Sequence, residues 1–230
     1  MKPTAIIMCT WKRIKNLDRT LELLDKQKNL NFIFYIWNNN PDIEDVINKK
    51  IEIEHNFKIK VRHSPINIGG FGRFKFAKYI ADEHDKIIFI DDDQVFNENM
   101  VNIFHSNYDE NAIKSRWAFR FRSSNYTDRY QVFEDNQNVH YCGTGGMILP
   151  SKVFKCEELY IIPNEFSFVE DLWLCFVGNH YLNMKLRAIQ GDFMTQIVDG
   201  KDQSTIDFIT TKNKFLQYLI KIEEWQILKT

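Results

Sequence analysis

The stretch KIIFIDDDQVF, residues 86–96, runs an apolar segment of strand length straight into three consecutive aspartates. Ile87, Ile88, Phe89 and Ile90 read as a buried strand. Asp91, Asp92 and Asp93 then set three like charges side by side, which is costly unless water, a helix N-terminus or a cation takes up the charge. In an extended segment side chains alternate, so Asp91 and Asp93 are expected on one side and Asp92 on the other. Two hard oxygen ligands on one side suit Mg²⁺ or Mn²⁺, ions that keep open positions for water and substrate phosphates. The competing reading is an Asp-rich turn that caps a helix around 97–105.

Working outward, the segments before this strand alternate in kind. TAIIMC (4–9) reads as a strand, and Leu17, Leu21 and Leu24 mark a helix. NFIFYIW (31–37) is a second strand closed by NNNP, DIEDVINKKI a helix, FKIKVRH a third strand and RFKFAKYIADEH another helix. The order βαβαβαβ implies an α/β fold with a mostly parallel sheet covered on both faces, and such sheets bind ligands at the carboxyl ends of their strands. The unusual segments all fall there: TWKR, NNN, SPINIGGFGR and DDD each follow a strand. Beyond residue 110 the pattern loosens, with a helix near VEDLWLCFVGNHY, a strand at KLRAI and a helical tail KNKFLQYLIKIEEW. No Pro/Gly/Ser-rich linker and no repeat interrupts the chain, so a single domain over 1–230 is expected.

Composition limits the function classes. Thirty Lys and Arg against 31 Asp and Glu give a net charge of −1 over 230 residues, with no general pull toward nucleic acid or anionic membrane. Cys9, Cys142, Cys156 and Cys175 lie far apart and form no C-x-x-C pair or zinc pattern, so reduced, mostly buried thiols are expected. No apolar run reaches the length of a membrane span or a signal peptide, which makes a soluble, cytoplasmic protein the expectation. In the tail, Phe215, Leu216, Leu219 and Ile222 at helical spacing point to packing on the domain, with peripheral membrane contact as the alternative.

Three further motifs carry chemistry. In NIGGFGR, Asn67 to Arg73, the glycines including Gly69 permit φ > 0 and close backbone approach, and Arg73 can donate to phosphate; the bland reading is a flexible turn. CGTGGMILP, Cys142 to Pro150, sets Gly145 and Gly146 before an apolar run, either as backbone donors to a ligand or as a bend in a strand. FSFVEDLWLCF places Glu170 and Asp171 at a helix start, where the dipole alone favours carboxylates. Beside Phe168, Trp173 and Phe176 a carboxylate can also be desolvated and its pKa raised, which improves it as a general base.

Taken in order, AIIMCTWKR, YIWNNN, NIGGFGR, IFIDDDQVF, CGTGGMILP and VEDLWLCF resemble the motif series of GT-A fold glycosyltransferases, nearest the inverting family 2 type, over roughly residues 4–190. The resemblance implies a Rossmann-like mixed sheet, a nucleotide-sugar donor favoured as a UDP-sugar, Mn²⁺ or Mg²⁺, and a glycan, glycoprotein or glycolipid acceptor. It implies a nucleotide-binding half over about 1–110, an acceptor-binding half over about 111–195 and a helical appendage over about 196–230. Carried over by residue, the donor-binding positions are Thr10, Trp11, Arg13, Asn38, Asn39, Asn67, Gly69, Arg73, Asp91, Asp92, Gly145 and Gly146. The metal positions are Asp91 and Asp93, and the catalytic pair is Glu170 and Asp171 with Asp171 as base. Asn38 stands where such enzymes often carry Asp, and no Q-x-x-R-W follows the Glu-Asp pair, which argues against a processive synthase. The rival readings are a nucleotidyltransferase or other phosphoryl-transfer enzyme using the same aspartates, and a non-catalytic nucleotide-sugar or glycan-binding module.

Overall fold

A computed structural model describes residues 2–197 and 207–227. The chain begins with β1 (Thr4–Thr10), α1 (Ile14–Asp25), β2 (Phe32–Asn38), α2 (Glu44–Ile51), β3 (Lys58–His63), α3 (Phe71–Ile80) and β4 (Lys86–Asp91). It continues through β5 (Gln94–Phe96), α4 (Met100–Asn107), β6 (Ala112–Ser115), β7 (Ala118–Phe121), β8 (Arg129–Gln131), β9 (Tyr141–Cys142) and β10 (Met147–Pro150). Last come α5 (Glu170–His180), β11 (Lys185–Ala188), β12 (Met194–Gln196) and α6 (Phe208–Lys221).

Seven strands form the central sheet in the order β11-β6-β10-β4-β1-β2-β3, in which β1 to β4 run parallel and β10 runs antiparallel to both neighbours. The continuous apolar run of β4 follows from this placement. Ile87 and Phe89 pack into the core beneath α3, α5 and α6, while Ile88 and Ile90 pack into the core beneath α1 and α4. Both faces are dry, so period-two alternation leaves no polar position, and each buried Ile or Phe contributes ~1.5–3 kcal/mol. At the edge, β3 turns Lys58, Lys60 and Arg62 outward, a charged border that blocks further strand pairing.

Leu17, Leu21 and Leu24 lie buried along α1 as their spacing predicts. In α6, Phe215, Leu216 and Leu219 are buried against α5, whereas Ile222, just past its end, is exposed. Of the appendage expected over 196–230, residues 198–206 and 228–230 lie outside the described residues.

The aspartate triplet corrects one expectation. Asp91 ends β4, but Asp92 and Asp93 form a turn into β5, so simple alternation does not apply to them. Nor do they cap a helix: α4 begins at Met100, and its N-cap residue Asn99 makes no side-chain capping bond.

Candidate functional site

Register brings the strand ends together. Thr10 pairs with Asn38, Asn38 with His63, and Cys9 with Asp91, so the loops after four parallel strands open on one edge of the sheet. A first cavity there is lined by Thr10, Trp11, Arg13, Asn39, Asn67, Gly69, Arg73 and Asp92, among others. The asparagines mostly build its walls. Asn67 Oδ1 accepts from Gly69 N at 2.8 Å, and Asn39 accepts from Trp37 Nε1 and Ile68 N while donating to the Gly69 carbonyl at 2.9 Å. Gly69 sits at φ +62° in that turn, which a side chain would strain. Asn38 is fully buried and does not reach the cavity, because its amide is consumed by Asn40 and His63.

Glycine at 70 has a different cause. A Cβ there would lie 1.7 Å from Glu170 Oε1, so the missing side chain is the space the carboxylate occupies. At Gly145 a Cβ would lie 2.2 Å from Asp91 Oδ2, a second place where backbone and carboxylate meet. Gly146, at φ +101°, forms the bend into β10 and lines none of these cavities. Gln94 holds the two sides together, accepting from Asp91 N at 3.0 Å and donating to the Gly145 carbonyl at 2.8 Å.

Each aspartate of the triplet meets an arginine. Arg73 Nη2 donates to Asp91 Oδ1 at 2.8 Å, and Arg13 Nη1 bridges Asp92 Oδ1 at 3.2 Å and Asp93 Oδ2 at 3.1 Å. Asp93 also accepts from Gln196 at 3.1 Å. Burial pushes the Asp92 carboxyl up to about 6 against the pull of Arg13, and burial with Asp91 raises Asp93. Buried Arg73 is held charged by Asp91 despite its desolvation, and its Nη1 has no partner among the described residues.

Among the described residues no three carboxylates, imidazoles or thiols converge into a metal cage. A Mg²⁺ or Mn²⁺ site needs less, since these ions are bound by one or two carboxylates and completed by water and substrate phosphates. Asp91, whose side chain is 37% exposed and whose Oδ2 carries no bond among the described residues, fits that requirement. Asp93 is more enclosed: Arg13 and Gln196 both donate to its Oδ2, and its side chain does not line the first cavity.

Glu170 and Asp171 open α5 and are both buried, yet they face different partners. Glu170 lies 3.9 Å from Arg73 Nε; burial outweighs that attraction, and with Asp171 close by its carboxyl rises to about 7. Asp171 Oδ2 accepts from the Tyr141 hydroxyl and pairs with Lys212 Nζ, while Oδ1 accepts from Leu172 N at 2.9 Å. The expected rise of the Asp171 pKa is therefore reversed. Burial raises it, but Lys212 and Tyr141 more than offset that and hold the carboxyl below its usual range.

Two more cavities meet at Asp171. One, of about 420 Å³, is bounded by Arg73, Asp91, Glu170, Asp171, Arg129 and Lys212, among others. It shares Arg73 and Gly70 with the first cavity, and it shares Asp91, Asp171 and Arg129 with a third lined by Trp117, Phe119, Tyr126 and Tyr141. The aromatic wall comes from the small sheet β8-β7-β9, whose register sets Phe119 beside Tyr141.

The structure thus gathers Thr10, Trp11, Arg13, Asn39, Asn67, Gly69, Arg73 and Asp92 around one cavity, and Asp91, Gly145, Glu170 and Asp171 around the adjoining two. Sequence reasoning missed Gln94, Arg129, Tyr141, Gln196 and Lys212. Only Gln94, directly after the triplet, had a local signal.

Solved structures share this architecture. The Staphylococcus aureus TarS fragment 1–349 in complex with UDP-GlcNAc superposes with TM-score 0.69 at 17% identity, covering 98% of this chain and 70% of that one. GalNAc-T7 with UDP, GalNAc and Mn²⁺ gives TM-score 0.64 at 10% identity, over 82% of this chain and 42% of that one. The chain has the GT-A fold. The same TarS fragment with UDP alone matches at TM-score 0.62 and 19% identity, and there the GT-A chain described here spans 60% of the crystallised length. No family model and no curated protein matches the sequence.

Proposed function

We propose that this GT-A chain is a glycosyltransferase that moves a sugar from a nucleotide-sugar, favoured as a UDP-sugar, to an acceptor hydroxyl with inversion. The observation that carries the reading is the continuity of the three cavities through Asp91, Arg73 and Asp171. A donor lying along the strand ends would bring its anomeric carbon to the junction, and an acceptor entering from the aromatic side would meet it beside Asp171. The complexes of the structural neighbours with UDP, UDP-GlcNAc and Mn²⁺ support the donor class and the ion.

Each residue then has a chemical task. The buried Arg73, with an unpartnered Nη1, is placed to donate to a donor phosphate. A divalent ion held by Asp91 and Asp93 would supply positive charge to the leaving diphosphate. Asp171, kept ionised by Lys212 and Tyr141, receives the acceptor proton as that oxygen bonds the anomeric carbon and the carbon–phosphate-oxygen bond breaks. Glu170, packed against Gly70 and Arg73, fixes the floor between donor and acceptor sides. On this reading the nucleotide-binding half remains about 1–110 and the acceptor-binding half about 111–195, with Phe168 and Phe208 also bordering the donor cavity.

A panel of nucleotide sugars, starting with UDP-GlcNAc, tests the reading with and without Mn²⁺. Thermal stabilisation by a UDP-sugar and release of UDP on transfer are the expected results. Pyrophosphate release would identify a nucleotidyltransferase instead, and donor binding without turnover on any acceptor would identify a binding module. Asp171→Asn should lower kcat about 10²–10⁴-fold, the usual contribution of a general base, with donor affinity retained.

A further inference from the structure

Among the described residues, most cations around the three cavities are matched to acids; the exceptions are Lys12, exposed at the rim and set over the Trp11 ring, and Arg129, which is half-buried. Arg73 pairs with Asp91, Lys212 with Asp171, and Arg13 with Asp92 and Asp93. Arg129, at the start of β8, borders both the central and the aromatic cavity and makes no ion pair among the described residues. Its guanidinium carbon lies 3.7 Å from the Tyr126 ring centre, 4.7 Å from that of Phe119 and 5.9 Å from that of Tyr141. One hydrogen bond, Nη1 to the Tyr126 carbonyl at 3.1 Å, fixes its orientation. Glu170, the remaining acid at the junction, faces Arg73 instead.

The rings surround the guanidinium carbon, and with Nη1 donating to the Tyr126 carbonyl the remaining N–H groups are the ones left for a ligand. Those groups match a phosphate or carboxylate in a two-point contact. A neutral acceptor would leave a cation partly removed from water with no counter-charge, which costs free energy. The surrounding Trp117, Phe119, Tyr126 and Tyr141 offer apolar walls for the carbon skeleton, and Asp171 lies in the same cavity.

We propose that the aromatic cavity is an acceptor subsite for a sugar or polyol carrying an anionic group, phosphate or carboxylate, and that Arg129 binds that anion. The inference rests on the glycosyl transfer proposed above and names the class of its acceptor. Its role is specificity: the anion would anchor the acceptor while a neighbouring hydroxyl faces Asp171.

The test uses the chain saturated with UDP and Mn²⁺, so that donor-phosphate positions are filled. Calorimetry compares glycerol 3-phosphate with glycerol, and glucuronate with glucose, in the wild type, Arg129→Met and Arg129→Lys. Methionine keeps an apolar stem against the rings, and lysine keeps the charge without the fork. The charged member of at least one pair should bind tenfold or more tighter, the preference vanishing in Arg129→Met and persisting in part in Arg129→Lys. Preference within the glycerol pair alone assigns a phosphate; within the sugar pair alone, a carboxylate. Equal binding of charged and neutral probes, or an undiminished preference in Arg129→Met, overturns the proposal. Titration with UDP and the nucleotide-sugar panel separates the layers: normal UDP affinity without anion preference sinks the acceptor inference alone, whereas a wild type that binds neither UDP nor any nucleotide sugar of the panel takes the glycosyl-transfer reading down with it.

Discussion

Lys212 and Tyr141 decide what Asp171 can do. Burial alone would make this carboxylate a stronger base, and their two contacts reverse the effect. The groups facing it are Lys212, Tyr141, Glu170 with Arg73 behind it, and the thiol of Cys175. Removing the ammonium in Lys212→Met leaves desolvation unopposed by that charge, so the Asp171 pKa rises. The acidic limb of the kcat/KM–pH profile should then move to higher pH, with Lys212→Arg restoring much of the wild-type position. A profile that does not move would show that Lys212 does not tune the base. Glu170 carries the opposite sign. Its carboxyl is raised to about 7 in the fold, against about 4.3 when unfolded, so the stability it contributes is complete below pH ~4 and lost as pH rises through ~7. Glu170→Gln should therefore flatten the fall in Tm between pH 5 and pH 8, measured by calorimetry; an unchanged slope would mean that other groups cause it.

At the scale of the element, the loops after β3 and β9 are shaped by carboxylates as much as by backbone conformation. Gly70 has ordinary helical angles, φ −66° and ψ −18°, so alanine is acceptable to the backbone there and the nearest obstacle is the Glu170 carboxylate. Gly145→Ala would strike Asp91 Oδ2 and Gln94 Nε2 in the same way. Gly145→Ala should weaken Mn²⁺-dependent donor stabilisation in a thermal-shift titration by tenfold or more, while changing the ligand-free Tm by only a few degrees. Loss of fold instead would place the role of this glycine in the bend. These elements were legible from the sequence: a strand, a helix, and odd residues at the strand's carboxyl end. What failed was the assumption that the strand conformation continued through Asp93, because the turn into β5 begins one residue after Asp91.

For the whole molecule, the deciding contacts are long-range. Asp171 is 30 residues from Tyr141 and 41 from Lys212, and β9 and α6 deliver those side chains from two different layers. No periodicity marks Lys212, which sits in a helix whose apolar face serves the core. Arg129 was equally silent, since its aromatic cage comes from β7, β9 and the turn holding Tyr126. The placement of α6 can be tested through Phe215, fully buried and stacked on Phe166 at 4.3 Å. Phe215→Ala should cost about 3–5 kcal/mol, the usual penalty for emptying a buried aromatic site, and lower Tm by roughly 2–4 °C per kcal/mol. Because this helix carries Lys212, the same substitution should also shift the acidic limb toward that of Lys212→Met. An unchanged pH profile alongside a lower Tm would show that the ion pair survives local repacking.

The thiol of Cys9 borders the first cavity, where an electrophilic inhibitor would be aimed, yet burial pushes its pKa up to about 12. At neutral pH the thiol therefore stays protonated, and the thiolate is the reactive form. Cys156 is raised to about 11 and Cys175 well above the usual value, so neither offers an easier target. Iodoacetamide and maleimides should therefore leave the folded chain largely unlabelled, and a covalent warhead for this cleft would have to seek an amine or a carboxylate instead.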